Sequence, residues 1–333
     1  MTKDCGIVVE VTRGELVESY HRVAACAVDA ADRTVYEAGD VDVPVYLRSA
    51  AKPFIAAAAI EAGVADAFGL DDREIAVMAA SHFGEPFHVR AVRSILQKIG
   101  MDESALQCGV HQPYDEAAAS ELARSGEQPS VLQNNCSGKH AGILALCKVI
   151  GADPATYLEE RNPAQRRILE FCARLSGDDP ATWPVAVDGC GIPVYATSLR
   201  NAARSFARFA SLRGVGERVA AALRVVRDAM VAHPEYVAGT GRFDTELMIA
   251  GRGALAAKAG AEGVQSVAAI ARECGFVSKV IDGASRARGP STIAVLRKLG
   301  VLDERQVAEM ERFARPAVYN RTGKMVGEIR AVV

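Results

Sequence analysis

The two ends of this chain constrain its fold more than any other feature, because both read as β-hairpins. Gly6-Ile-Val-Val-Glu-Val-Thr-Arg-Gly-Glu-Leu-Val-Glu-Ser19 alternates apolar and polar residues and turns at Arg13-Gly14. A second pair, His21 to Asp29 and Thr34 to Glu37, flanks Ala30-Ala-Asp-Arg33, and Val43 to Leu47 continues the strand pattern. The chain closes on Pro316 to Val333, a further hairpin turning near Asn320 to Gly323. Between about Phe54 and Phe313 the pattern is helical, with helices predicted over 71–80, 86–98, 139–149, 154–175, 198–210, 215–231, 264–274 and 291–299. The fold predicted is therefore α/β (α+β): one antiparallel sheet formed by N- and C-terminal strands, with helices on its faces. Residues 1–48 and 316–333 supply the sheet and 49–315 the mainly helical part, read as a single domain over 1–333.

Several function classes fall away on composition. Of 333 residues, 39 are basic and 41 acidic, a net charge of −2 with no basic cluster suited to a phosphate backbone. Nucleic acid is not expected as a partner. The start, Met1-Thr-Lys-Asp-Cys-Gly6, lacks the apolar core of a signal peptide. The most apolar stretch, Phe54 to Leu70, is interrupted by Glu61 and Asp66 and reads as a buried helix, not a membrane span. A cytoplasmic protein is expected, so the eight cysteines (5, 26, 108, 136, 147, 172, 190, 274) are read as reduced. Cys26, Cys147 and Cys172 lie in apolar runs and read as small core residues. Cys136 and Cys190 lie in glycine-flanked polar turns and are candidates for chemistry.

Chemistry is concentrated in a few blocks. Leu47-Arg-Ser-Ala-Ala-Lys-Pro-Phe54 places Ser49 three residues before Lys52 where a strand runs into an Ala-rich segment. On a helix, positions three apart share a face. A serine hydroxyl becomes a nucleophile when a base takes its proton, and a lysine serves as that base once burial or a neighbouring cation lowers its pKa. Four polar loops stand out from the Ala-rich background: Ala80 to Pro86, Gln133 to Gly142, Val187 to Pro193 and Lys258 to Val264. Ser-x-x-Lys hydrolases carry a second serine element and a late lysine element. Ser81 and Lys258 occupy those places, although Ser81-His-Phe is not Ser-x-Asn and Ala259 stands where a hydroxyl residue is usual. Cys136 and Cys190 are soft donors, and His140 or Asp188 would complete a set suited to zinc, without the spacing of a zinc finger.

Taken together, Ser49-Ala-Ala-Lys-Pro-Phe54, Ser81-His-Phe-Gly-Glu85, Asn135-Cys-Ser-Gly-Lys-His-Ala-Gly142, Asp188-Gly-Cys-Gly-Ile-Pro193 and Lys258-Ala-Gly-Ala-Glu-Gly263 resemble the Rhizobium-type L-asparaginases, also called asparaginase II or class 3. The resemblance spans nearly the whole chain in the right order. It implies a fold like that of glutaminases and serine β-lactamases. It also implies a zinc-containing homodimer that hydrolyses L-asparagine. By the same resemblance, Ser49 with Lys52 is one catalytic pair and Ser81 with Lys258 a second. Cys136, Lys139 and Cys190 match the zinc ligands, Arg48 and Asp188 flank the substrate, and His140 sits beside them. Ser49 is expected to attack the side-chain amide, with backbone N–H groups at the helix start holding the oxyanion. The alternatives are a glutaminase or β-lactam-directed serine hydrolase of the same fold, or a non-catalytic thiol–metal binding or redox-sensing protein.

Overall fold

The computed structural model describes residues 6–333; Cys5 and the rest of the start read above for an export signal lie outside the described residues. The chain divides into two compact units. One comprises the residues up to Ala50 with Thr197–Ser211 and Glu246–Val333, and the other Ala51–Ala196 with Leu212–Thr245. The strands in chain order are β1 (Ile7–Arg13), β2 (Leu16–Asp29), β3 (Thr34–Ala38), β4 (Pro44–Tyr46), β5 (Val185–Val187), β6 (Pro193–Ser198), β7 (Leu255–Gly260), β8 (Val264–Ala269), β9 (Cys274–Val280), β10 (Ala317–Tyr319) and β11 (Met325–Val332).

The first unit is built on one antiparallel sheet, ordered β10-β11-β1-β2-β9-β8-β7, with β3 also on β2. Both ends of the chain meet in it as expected, with Val9 of β1 opposite Ala331 of β11. The alternation in β1 buries Ile7, Val9 and Val11, the half-buried pattern of an antiparallel strand. The helix Leu199–Ser211 packs on β9. It approaches so closely at Gly275 that a Cβ there would strike the backbone of Ala203 and Ala207.

Two sequence expectations need correction here. Residues 264–274 are not a helix but β8, a short 3-10 turn and the start of β9. Every residue of β8 is buried, so neither face offers the polar half of an alternation, and the alanines of this stretch bias a propensity reading toward helix. Residues 154–175 are not one helix. A 3-10 turn at Pro154–Thr156 is separated from the helix Pro163–Ser176, whose N-cap Asn162 accepts from the Ala164 N–H and whose first residue is Pro163.

The second unit is helical around Lys52–Glu61, which is buried from Lys52 to Ala59. That helix packs against Ser137–Ile150, Pro163–Ser176 and Glu217–Ala232. A helix apolar all round belongs in a core. Among the described residues no helix is long and apolar enough to cross a membrane. Ser137–Ile150 touches Asp72–Met78 through small residues. A Cβ on Gly138 would enter the Val77 carbonyl, and one on Gly142 would press on the Met78 side chain. Gly138→Ala is therefore expected to cost about 1–3 kcal/mol, read as a lower midpoint in chemical denaturation. An unchanged midpoint would contradict this packing.

Candidate active site

The first unit carries Arg48, Ser49 and Lys258. Arg48–Ala51 is a 3-10 turn that leads straight into the helix starting at Lys52. Arg48 holds a left-handed φ of 51°, a conformation that costs a non-glycine residue energy and persists where surrounding structure enforces it. The turn lies against the end of β7: a Cβ on Gly260 would collide with the Leu47 carbonyl and crowd the Ala50 N–H. Two residues earlier, Lys258 is fully buried and its Nζ donates to the Ala259 carbonyl at 2.8 Å. Ser266 Oγ donates to the Lys258 carbonyl at 2.7 Å and ties β7 to β8. Lys258 thus stands on a strand rather than in a loop.

The second unit carries the other seven expected residues. Lys52 opens its helix and is 1 % exposed. Its Nζ donates to the Ala80 carbonyl at 2.7 Å, to Ser81 Oγ at 2.9 Å and to the Asn135 carbonyl at 3.4 Å. Burial, with the Lys139 charge adding to it, holds the Lys52 pKa below the ordinary lysine value, although Cys136 and Cys190 pull the other way. Ser81 is fixed through its backbone, which donates to the Val237 carbonyl at 2.9 Å.

Cys136, at the N-cap of Ser137–Ile150, hydrogen-bonds Cys190 and Lys52. Lys139 Nζ donates to Cys190 Sγ at 2.8 Å. The two thiols are driven in opposite directions. The bond from Cys190 carries Cys136 well below the ordinary cysteine range, and the bond to Cys136, reinforced by burial, drives Cys190 up. Burial works against a charged Lys139, but the neighbouring Cys136 and Cys190 outweigh it and its pKa is raised. Among the described residues no three His, Cys, Asp or Glu side chains converge as a metal-holding group. The convergence found here is two thiols and an amine. Asp188 Oδ2 lies 3.9 Å from Cys190 Sγ, and its Oδ1 accepts from the Gly189 N–H at 2.8 Å. His140 is fully buried, with Nδ1 2.7 Å from Tyr157 Oη.

Several residues that support these groups give little signal in the sequence. Gly84 N–H donates to His82 Nδ1 at 3.2 Å, so the ring proton is on Nε2, which donates to Ser137 Oγ at 2.9 Å. The Ser137 hydroxyl in turn donates to the Leu132 carbonyl at 2.9 Å. His82, the neighbour of Ser81, is thus a locked strut. His111 Nε2 accepts from the Asn135 N–H at 3.2 Å and so holds the backbone just before Cys136. Asn134 accepts from the Cys136 N–H and donates to the Cys108 and Gly109 carbonyls. Glu85 binds the Thr240 N–H and hydroxyl, both at 2.8 Å, and Arg242 lies 3.9 Å over the Phe83 ring. The 239–244 segment therefore clamps the loop that carries Ser81.

With this geometry in place, comparison with known proteins is decisive on the family. The chain matches the family described as L-asparaginase II over residues 9–331. It belongs to the L-asparaginase II family. Membership makes it a hydrolase of a small-molecule amide. No curated protein matches. Among solved structures, Mglu in its native form is 17% identical at a TM-score of 0.44, covering 89% of this chain and 69% of that one. A putative β-lactamase from Bacteroides dorei is 15% identical at 0.45, covering 83% and 94%. D-alanine carboxypeptidase AmpC from Burkholderia cenocepacia is 14% identical at 0.39, covering 84% and 93%.

Acid is expected to unfold this site first. His88, buried beside His82 with ring centroids 4.9 Å apart, donates from Nε2 to the Glu235 carbonyl at 2.9 Å. Burial depresses its pKa from 6.5 to about 4, and burial with its cationic neighbours carries His82 well below its ordinary value. Both stay neutral when folded and charge when unfolded. Their contribution is intact above about pH 6.5 and is lost as pH falls toward 4, a loss on the order of 3 kcal/mol for His88. Denaturant midpoints measured across that range should fall with acid, and His88→Gln should flatten the fall. An equal slope in the variant would contradict the assignment.

Proposed function

We propose that this protein hydrolyses the side-chain amide of L-asparagine to aspartate and ammonia by Ser–Lys nucleophilic catalysis. One observation carries the reading: a buried Lys52 amine of reduced basicity bonded to a serine hydroxyl, Ser81, at 2.9 Å. A lysine of ordinary pKa holds its proton at neutral pH, whereas a desolvated one beside another cation accepts one. Ser49, three residues ahead in the chain, is assigned as the nucleophile on the family resemblance, with Lys258 in the second Ser–Lys pair.

In the first step Lys52 takes the proton of Ser49 Oγ as that oxygen bonds the amide carbon. The C–N bond then breaks, nitrogen takes up the proton, and ammonia leaves. Water adds to the β-aspartyl ester, aspartate departs, and the hydrogen returns to Ser49. Ser81 holds the Lys52 amine in place during both halves. Arg48 is assigned to the substrate α-carboxylate and Asp188 to its α-ammonium, by charge. A homodimer rests on the family resemblance.

The thiol–amine cluster fits zinc in its donor chemistry. Cys136 and Cys190 are soft donors, and Lys139 supplies a nitrogen 2.8 Å from the Cys190 thiol. Cys136, Lys139 and Cys190 would hold the ion, the Lys139 amine giving up its proton as the ion takes its place beside the thiols. When bound, zinc supplies a fixed positive charge that orients the surrounding groups.

The direct test is ammonia release from L-asparagine and, separately, from L-glutamine. Release from asparagine should exceed that from glutamine and fall about 10²–10⁴-fold in Lys52→Met, and similarly in Ser49→Ala. A folded protein releasing ammonia from neither amide sinks the reading, and a Lys52→Met variant with full turnover removes Lys52 as the base. Elemental analysis of the purified protein should find zinc at about one ion per chain, lost in Cys190→Ala. Equal zinc in the variant would refute the ligand set.

A further inference from the structure

Tyr157 enters no step of the reaction above, yet it is fully buried against His140. Its ring meets the imidazole edge-on with centroids 5.4 Å apart, and its oxygen has two polar neighbours. The Gln107 N–H donates to it at 2.7 Å, and His140 Nδ1 lies at 2.7 Å. His140 Nε2 is buried with no hydrogen-bond partner in the protein.

Counting protons decides which way the Tyr157–His140 bond runs. If Nδ1 carried the proton and donated to Oη, the tyrosine oxygen would accept twice and its own O–H would have no acceptor. Both that O–H and the bare Nε2 would then be buried and unsatisfied. If Tyr157 donates to Nδ1, the only unspent group is Nε2–H. Buried polar groups cost free energy when unmade, so the arrangement with one orphan is preferred to that with two. A ring protonated on both nitrogens would leave the same two groups unsatisfied, the tyrosine O–H and the Nε2–H. A ring with one buried N–H unbonded within the protein is a donor awaiting an acceptor.

We propose that Tyr157 is a positioning residue: its hydroxyl donates to His140 Nδ1, holds the imidazole as the Nε2–H form, and presents that N–H to an acceptor oxygen of the amino-acid amide. This rests on the amidohydrolase reading for the identity of the ligand, but not for the tautomer. Tyr157 itself touches no reacting atom. Its neutral hydroxyl sets which ring nitrogen faces the ligand, as a second shell does for a metal-bound histidine.

The test has two arms. In ligand-free protein, ¹⁵N-resolved histidine NMR, assigned through the signal lost in His140→Gln, should show His140 as the Nε2–H tautomer. Tyr157→Phe should convert it to a mixture. An Nδ1–H ring in the wild type overturns the proposal whatever the substrate. In turnover of L-asparagine, Tyr157→Phe should raise KM about tenfold with kcat nearly unchanged, the loss of one neutral hydrogen bond formed equally in ground and transition states. Because a glutamine side-chain NH₂ reaches the Nε2 position and an asparagine NH₂ the Nδ1 position, His140→Gln should recover much of the KM lost in His140→Asn. Equal damage in the two variants, or unchanged KM in Tyr157→Phe, overturns it. A wild type that turns over no amide but shows the Nε2–H ring fails the functional reading alone; titration with L-aspartate then checks the donor, and an unmoved Nε2 signal at saturation overturns the proposal.

Discussion

Burying an amine disfavours its charge unless an anion compensates it, and the second unit holds two buried amines whose pKa values are moved in opposite directions. Lys139 has the thiol pair of Cys136 and Cys190 and keeps its charge. Lys52, bonded to two backbone carbonyls and the Ser81 hydroxyl, has its pKa lowered by burial and by the Lys139 charge, with Cys136 and Cys190 pulling the other way. The two states depend on each other. Removing the thiols would leave Lys139 as an uncompensated charge in the core, and removing the Lys139 charge would relieve Lys52. Mutually dependent groups of this kind show large non-additive effects on substitution.

The scaffold around the cluster is made of short-range devices that set distances to a few tenths of an ångström. Gly138 lets the helix that carries Lys139 and His140 touch the Val77 carbonyl. His82 spans from its own loop to Ser137, and Glu85 grips Thr240. In the first unit Gly260 plays the matching part, giving the turn that carries Arg48 and Ser49 room against the strand that carries Lys258. Rigid placement of this sort is what positioning and electrostatic catalysis require.

Much of this was legible in the sequence wherever the signal was local. The hairpin turns at Gly14 and around Asn320 to Gly323 were expected from turn chemistry and appear in place. The polar blocks at 81–85, 133–142 and 188–193 stood out because each is contiguous. What escaped the sequence reading depended on long-range partners. Tyr157 and His140 are 17 residues apart, and His111 and Asn135 are 24 apart, with no pattern linking them. The strands β7 to β9 escaped for a different reason: they are buried on both faces, so they show no alternation, and the alanines of β7 and β8 favour a helical reading. The bond from Lys52 to Ser81 joins residues 29 apart, whereas the sequence paired Lys52 with Ser49, its neighbour in the chain.

The central claim is that Lys52 acts as a base so that Ser49 can form an ester with the substrate. The most direct measurement is to quench the protein with acid during turnover of L-asparagine and map the β-aspartyl adduct to a peptide by mass spectrometry. The account predicts the ester on Ser49. An ester on Ser81 or a thioester on Cys136 would contradict it.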